Sequence, residues 1–221
     1  MAMTEVIIDN LRTDYLVNYI RTLFNPFIIS DANETILNFQ NETGVGSFHI
    51  LTLDNDKLNI YFKGRLHKGL SIKFYNAKQP SLNFIYLQNG QIKVRHRNEA
   101  TPMVVDRTQQ FIYRSNIKED EIIYWPENTL IEFNFLKVFN FSYLSAGDVV
   151  TTKNVSVEGL KNFDHIPFKD IRAKRSNHIS PGETLLQSEL VGNARVRDLE
   201  RKVKRILQEQ LKCITVNYQE S

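Results

Sequence analysis

The sequence has almost no cysteine and no long apolar segment. Cys213 is the one cysteine in 221 residues, so an internal disulfide is excluded and the chain fits a reducing compartment. No stretch approaches the roughly 18 apolar residues that a membrane span needs, and the first ten residues lack the basic and apolar regions of a secretion signal. We therefore expect a cytoplasmic protein that does not insert into a membrane.

The motifs of common catalytic and metal sites are also missing. Metal-dependent jelly-roll enzymes use closely spaced histidine pairs, but the histidines here are scattered: His49, His67, His96, His165 and His178. The chain has no glycine-rich phosphate loop, nucleophile elbow or Cys–His arrangement. The acidic run from Glu119 to Glu121 is interpreted as a solvated turn. We expect no catalytic residue, no metal and no cofactor, and hence no enzyme.

The middle of the chain has the pattern of antiparallel β structure. Short runs rich in Phe, Ile, Tyr and Val alternate with turn residues, and Asn55-Asp56 and Asn89-Gly90 are predicted to form tight turns between strands. Eight strands in about a hundred residues favour a closed barrel or a two-sheet jelly roll. The predicted strands are Phe48–Leu53, Leu58–Lys63, Gly69–Tyr75, Ser81–Leu87, Gln91–Arg97, Gln109–Ser115, Glu121–Trp125 and Leu130–Phe139.

Different patterns flank this β region, and they divide the chain into three segments. Residues 1–43 are predicted to hold a helix that starts after Asp9 or Asn10 and stops at Pro26, followed by an irregular lead-in from Phe27 to Thr43. Residues 44–143 hold the barrel. Residues 144–221 are predicted to be helical, with short helices over 156–163 and 167–174 and a capped helix start at Ser180-Pro181.

The last helix is amphipathic, and its apolar residues recur at three- and four-residue steps. The segment from Ala194 to Lys212 carries seven Lys or Arg against three Asp or Glu, so it holds the positive excess of a chain whose net charge is +3, and the rest of the chain is close to neutral. We interpret the charges as a solvated face beside an apolar contact surface, with weak, salt-sensitive attraction to DNA as the alternative. We expect a homodimer formed through Val196, Leu199, Val203, Ile206 and Leu207.

Polar and aromatic residues interrupt several of the predicted strands. Inward and outward positions alternate along a barrel strand, so some of these side chains are expected to line a ligand cavity. Trp125, before Pro126, is interpreted as an anchor that closes the barrel. The candidate ligand-binding residues are Tyr61, Arg65, His67, Tyr86, Arg95 and Tyr113.

Three sequence motifs, and the order in which the segments follow one another, resemble those of a known protein family. The motifs are residues 84–92, residues 109–113, and Trp125-Pro126-Glu127-Asn128 with the strand that follows. A pair of helices that ends at residues 198–202 comes after them in the chain. Together they resemble the N-terminal effector domain of AraC-type transcription regulators, especially the branch common in Bacteroidetes. The resemblance covers roughly residues 44–211. It implies a mainly β protein: a cupin-like jelly-roll barrel that binds a small effector, followed by a helical dimerisation segment.

The resemblance also implies a DNA-binding domain of two helix-turn-helix units beyond the dimerisation helices. The residues after Lys212 have no room for even one such unit, and Ile214 to Ser221 reads as the start of a linker. We therefore expect DNA to be bound only through a domain that this sequence lacks.

Two other functions remain open at this level. The first is a freestanding jelly-roll protein that acts as a sugar isomerase, an oxygenase or a small-molecule binder. The second is a cyclic-nucleotide sensor, which also places a long helix after a β roll. The sensor is disfavoured because Gly182-Glu183 is not followed by the Arg-Ser or Arg-Thr that would hold a cyclic phosphate.

Overall fold

The structure is a computed structural model that describes the β region almost completely. It describes residues 4–8, 13–31, 33–53, 57–75, 81–96, 101–107, 109–115 and 120–139, and, near the C-terminus, 194–195, 197–202 and 205. The predicted turn at Asn55-Asp56, the helices over 156–163 and 167–174, and the helix start at Ser180 lie outside these residues.

Twelve strands and one helix make up the described part of the chain up to residue 139. All eight predicted strands are confirmed, with ends shifted by a few residues. In chain order the elements are β1 (Thr4–Ile8), α1 (Thr13–Phe24), β2 (Phe27–Asp31), β3 (Glu34–Asn41), β4 (Gly44–Leu53), β5 (Lys57–Leu66), β6 (Leu70–Tyr75), β7 (Ser81–Asn89), β8 (Gln91–His96), β9 (Met103–Asp106), β10 (Gln109–Ser115), β11 (Asp120–Trp125) and β12 (Leu130–Phe139).

Strands β5 to β12 form a jelly roll of two sheets. One sheet contains the order β5-β12-β7-β10 and the other β6-β11-β8-β9, so most connections carry the chain from one sheet to the other. Strand β1 pairs in parallel with β6 and completes a five-stranded sheet. Strands β4, β3 and β2 extend the other sheet to seven strands. The predicted jelly roll, mainly β with helix toward the C-terminus, is confirmed.

The core lies between the two sheets and is strongly aromatic. Alternation along each strand decides which side chains enter it: Ile60 and Phe62 of β5 are buried in the core, while Tyr61 between them lies on the outer face. Ring centroids of Phe62 and Trp125 are 4.6 Å apart, and those of Trp125 and Phe133 are 5.1 Å apart. The rings thus join both sheets, and Trp125 is a central packing residue.

Helix α1 packs its apolar side onto the jelly roll. Leu16, Ile20 and Phe24 are buried in the same core as the strands. The helix ends at Phe24 because Asn25 takes a positive φ of 39° and Pro26 follows. The side-chain amide of Asn41, at the end of β3, donates to the Phe24 carbonyl that the helix leaves unpaired. The predicted helix is confirmed over Thr13–Phe24.

The lead-in from Phe27 to Thr43 is not irregular, as the sequence predicted. It forms β2 and β3, which pair with each other, and β3 pairs along its whole length with β4. The sheet therefore continues across the predicted boundary at residue 43, although the division of the chain into three segments remains a prediction. Leu37 and Phe39 enter the core, but apolar Ile36 lies directly before Leu37 and breaks the alternation in the sequence.

Two other local features of the structure differ from what the sequence predicted. The turn at Asn89-Gly90 does not join paired strands, because β7 and β8 belong to different sheets. Gly90 has φ +87° where the chain turns from one sheet to the other, and an added Cβ would lie 2.6 Å from the Leu130 carbonyl oxygen. Strand β9 was not predicted, because it spans only four residues and buries only Val105.

Part of the C-terminal helix is described, and it lies against the seven-stranded sheet. Residues 194–195, 197–202 and 205 are helical, as predicted. Arg195 bonds to Glu34 on β3, and Leu199 is fully buried within the single chain. The contact is on the outer face of the sheet, since the inward positions of β3 are those of Leu37 and Phe39.

Candidate functional site

The interior of the jelly roll holds a small apolar cavity beneath α1. Its volume is about 30 Å³, which is far less than the roughly 150 Å³ known to admit benzene. One wall is the helix and the others come from both sheets. The lining residues are Leu16, Tyr19, Ile20, Leu23, Phe24, Phe48, Ile60, Leu70, Ile72, Phe74, Ile123, Trp125, Phe133 and Phe135.

A buried polar cluster lies further along the interior, beyond the rings of Phe74 and Phe135. The Lys137 amine donates to Glu121 Oε1 at 3.4 Å, and the Asn83 amide donates to the same oxygen at 3.5 Å. Lys137, Glu121 and Asn83 are all fully buried. Burial lowers the pKa of Lys137 below its usual value, and the Glu121 carboxylate opposes that shift. The barrel therefore holds an ion pair next to an apolar chamber.

A second charged network lies on the outer face of the seven-stranded sheet. Arg195 donates to both oxygens of Glu34, from Nε at 2.5 Å and from Nη2 at 2.6 Å, and His49 Nε2 also donates to this carboxylate. This two-pronged arrangement is the strongest form of Arg–carboxylate contact. It fixes the C-terminal helix to β3 and β4.

The surroundings shift the pKa of Glu34 and of His49 in this network. Burial lowers the pKa of His49, and the positive charge of Arg195 adds to this effect against the attraction of Glu34. Burial alone would raise the pKa of Glu34, but the hydrogen bonds and the charge of Arg195 outweigh it, together with the hydrogen bond from His49, so the pKa lies below its usual value. The carboxylate is therefore charged at neutral pH, and the imidazole is neutral.

The structure does not gather the predicted ligand-binding residues inside the barrel. Tyr61 and Tyr86 lie on the outer face of the seven-stranded sheet, and each is opposite Asn134 on β12. Tyr61 is buried, and its hydroxyl donates to Glu132 Oε1 at 2.6 Å. Arg65 is exposed farther along β5. A ligand-binding role for these residues remains a prediction.

The other three predicted residues lie elsewhere. His67 is exposed just after β5, with Nδ1 3.2 Å from the Glu42 carbonyl oxygen. Arg95 lies on the outer face of the five-stranded sheet, with its guanidinium 5.8 Å from the centre of the Tyr124 ring. The backbone of Tyr113 pairs with that of Asn83, and the Tyr113 side chain lies outside the described part.

Sequence reasoning missed the residues that form both charged networks. Glu121 was interpreted as part of a solvated turn, but it belongs to β11 and is fully buried. Lys137 carried a usable signal, because a lysine between Leu136 and Val138 in a mostly apolar strand is unusual unless it is paired. Glu34 and His49 carried none, since Arg195, which bonds to Glu34, is 161 residues after it in the chain.

Among the described residues, no group of three or more His, Cys, Asp or Glu side chains is arranged to hold a metal ion. In the same part of the chain, no helix is both long enough and apolar enough to span a bilayer.

Comparison with known proteins gives structural likenesses at low identity. No family model and no curated protein matches the sequence. The cupin domain of Schizosaccharomyces pombe Cnp3 has a TM-score of 0.35 and 12% identity, over 46% of this chain and 67% of that one. The Cupin_2 domain of an XRE family transcriptional regulator from Enterobacter cloacae has a TM-score of 0.30 and 8% identity, over 38% and 81%. A putative mannose-6-phosphate isomerase from Ralstonia eutropha has a TM-score of 0.33 and 8% identity, over 41% and 82%. These values do not assign the chain to a family.

Proposed function

We propose that this chain is the effector-binding and dimerising part of an AraC-like transcription regulator, and that it acts by binding and not by catalysis. The observation that carries the proposal is the apolar cavity inside the jelly roll, closed on one side by α1. A wall of aliphatic and aromatic side chains suits a small apolar effector. The resemblance described above supplies the regulatory context.

The cavity volume makes effector binding depend on α1. At about 30 Å³ the cavity does not admit an aromatic ring, so such a ligand must displace one wall. The strands are locked by sheet pairing, whereas α1 is held mainly by its apolar side chains and by bonds at its C-terminal end. An effector that binds the arrangement with α1 shifted outward will increase the population of that arrangement.

Strand β3 offers a physical route from α1 to the C-terminal helix. Asn41, its last residue, bonds to the end of α1, and Glu34, its first residue, bonds to Arg195. The two contacts are seven residues apart on one strand, which is roughly 23 Å at the usual rise of about 3.3 Å per residue. A shift of α1 therefore strains the same strand that holds the C-terminal helix.

The cavity is tested with toluene as an apolar probe and Trp125 as the reporter, since Trp125 is the one tryptophan in the chain and lines the cavity. We expect Ile20→Ala to enlarge the cavity, so that toluene raises the melting temperature and changes the Trp125 emission. Leu51→Ala is the matched control, because Leu51 is equally buried but outside the cavity. If toluene shifted the melting temperature and the Trp125 emission equally in both variants, binding in this cavity would be contradicted.

Signal transfer is tested separately by hydrogen exchange with and without toluene. We expect the probe to increase exchange in α1 and in residues 197–202 of the C-terminal helix. If toluene binds but exchange in those residues does not change, the chain binds ligands without passing the signal on, and the regulator proposal fails.

A further inference from the structure

Two buried asparagines on the outer face of the seven-stranded sheet have polar atoms without partners. Asn59 on β5 and Asn134 on β12 are each 1% exposed. Oδ1 of Asn59 and both Oδ1 and Nδ2 of Asn134 have no hydrogen-bond partner among the described residues. Buried side-chain amides are nearly always hydrogen-bonded, because losing water without a replacement is costly. Three such atoms on one face require an explanation.

Asn134 is surrounded by tyrosines and by polar side chains that bond to one another. Asn134 lies opposite Tyr61 on one side and Tyr86 on the other, and all three side chains share the outer face. The Tyr61 hydroxyl donates to Glu132, and Glu132 also pairs with Lys63 at 3.4 Å. Asn59 lies opposite Leu136, two residues from Asn134 along β12 and on the same face. The unpaired amide of Asn134 therefore lies between two tyrosines.

The chemistry of a free amide defines what would fit there. A side-chain amide presents an acceptor oxygen and a donor nitrogen in one plane, and its complement is an N–H beside a C=O, the edge found in lactams and pyrimidine bases. Flanking tyrosine rings suit a planar ligand, and Asn59 Oδ1 accepts from a second N–H. A neutral ligand is favoured because burying an additional charge without a partner is costly.

We infer that the outer face of the seven-stranded sheet holds a second small-molecule site, in which Asn134 and Asn59 bind a neutral planar ligand through its amide edge. This site is on the opposite side of the sheet from the apolar cavity, so a negative result at one site leaves the proposal for the other unchanged. It is adjacent to the Arg195 network, since His49 on β4 lies opposite Tyr61.

The test uses uracil as the probe and 1,3-dimethyluracil as the matched ligand, which keeps both carbonyls and lacks both N–H groups. We expect uracil to raise the melting temperature of the wild-type chain in a concentration-dependent way, and dimethyluracil to have no effect. Asn134→Leu should raise the Kd for uracil at least about tenfold, as expected for loss of a two-bond contact. Asn38→Leu, the same change at an exposed position of β3, should keep the wild-type Kd.

Ligand-free stability gives an independent readout. Asn134→Leu should melt at a higher temperature than the wild type, because it removes a buried unpaired amide. Asn59→Leu is the second variant if Asn134→Leu does not fold, and it should also raise the Kd. The inference is overturned if uracil does not shift the wild-type melting temperature, or shifts it equally in the Asn134 variant. It is also overturned if Asn134→Leu melts lower and uracil has no effect, since an ordered water alone would then satisfy the amide.

Discussion

Lys137 and Lys63 make the same contact in two different environments. Each ammonium lies 3.4 Å from a buried glutamate, but the Lys63 side chain is 53% exposed and the Lys137 side chain is 0% exposed. Water screens the first pair, whereas the second pair has lost its hydration and depends on its partners. The two lysines thus separate the effect of burial from the effect of distance.

We predict that Lys137→Met lowers the free energy of unfolding by about 3–5 kcal/mol, because it leaves Glu121 buried without its countercharge. The double variant Lys137→Met/Glu121→Leu should recover most of this loss. Lys63→Met is the control and should cost less than about 1 kcal/mol. Urea unfolding measures all three, and equal losses for the two lysine variants would show that burial does not set the strength of the pair.

Of the two members of the buried pair, only Lys137 could be recognised from the sequence. Lys137 lies between Leu136 and Val138 in a strand that is buried on both faces, so an apolar setting for its amine was predictable. The partner was not, because Glu121 belongs to the other sheet and only the fold brings the two strands together. The same reason hides the contact between Glu34 and Arg195.

At the scale of elements, the sequence predicts strands well where turn residues and apolar alternation coincide. The eight predicted strands meet both conditions, and their residue ranges agree closely with the structure. In strand β3 the adjacent apolar residues Ile36 and Leu37 break the alternation, and the stretch is rich in asparagine, so its pattern resembles a loop. Pairing with β4 stabilises it, and pairing is a property of the fold and not of the segment.

The contact between β3, β4 and the C-terminal helix should depend on pH. The pKa of His49 is lowered in the folded chain, so below about pH 6.5 the unfolded chain binds a proton that the folded chain does not. The free energy of unfolding therefore falls as pH drops below 6.5. It falls further below about pH 4.5, because the lowered pKa of Glu34 stabilises the folded chain only while the carboxylate is charged.

We predict that His49→Gln reduces the loss of stability between pH 7.5 and pH 5.5, since glutamine still donates to Glu34 but does not titrate. Chemical unfolding at the two pH values measures the difference. His67→Gln, which replaces an exposed histidine, is the matched control and should keep the wild-type slope. If His49→Gln also keeps that slope, another group sets the pH dependence.

At the scale of the whole molecule, the C-terminal helix has to pack on its own chain and also contact the second chain of the predicted dimer. Leu199 is fully buried within the single chain, and Arg195 is bonded to Glu34, so this side of the helix stabilises its own chain. Leu199→Asp is therefore expected to lower the free energy of unfolding, because it buries a carboxylate without a partner.

Val203 and Leu207 share the face of Leu199 but lie one and two turns further along the predicted helix, where we expect that face to contact the second chain. We predict that Val203→Asp/Leu207→Asp converts a dimer into a folded monomer, since an apolar contact surface does not tolerate two charges at its centre. Sedimentation velocity gives the mass and circular dichroism confirms that the variant is folded. Arg201→Asp, at an exposed position of the same helix, is the control for added negative charge and should remain dimeric. A folded double variant that sediments like the wild type would remove this helix from the interface. The chain would then need another surface to bring two copies together.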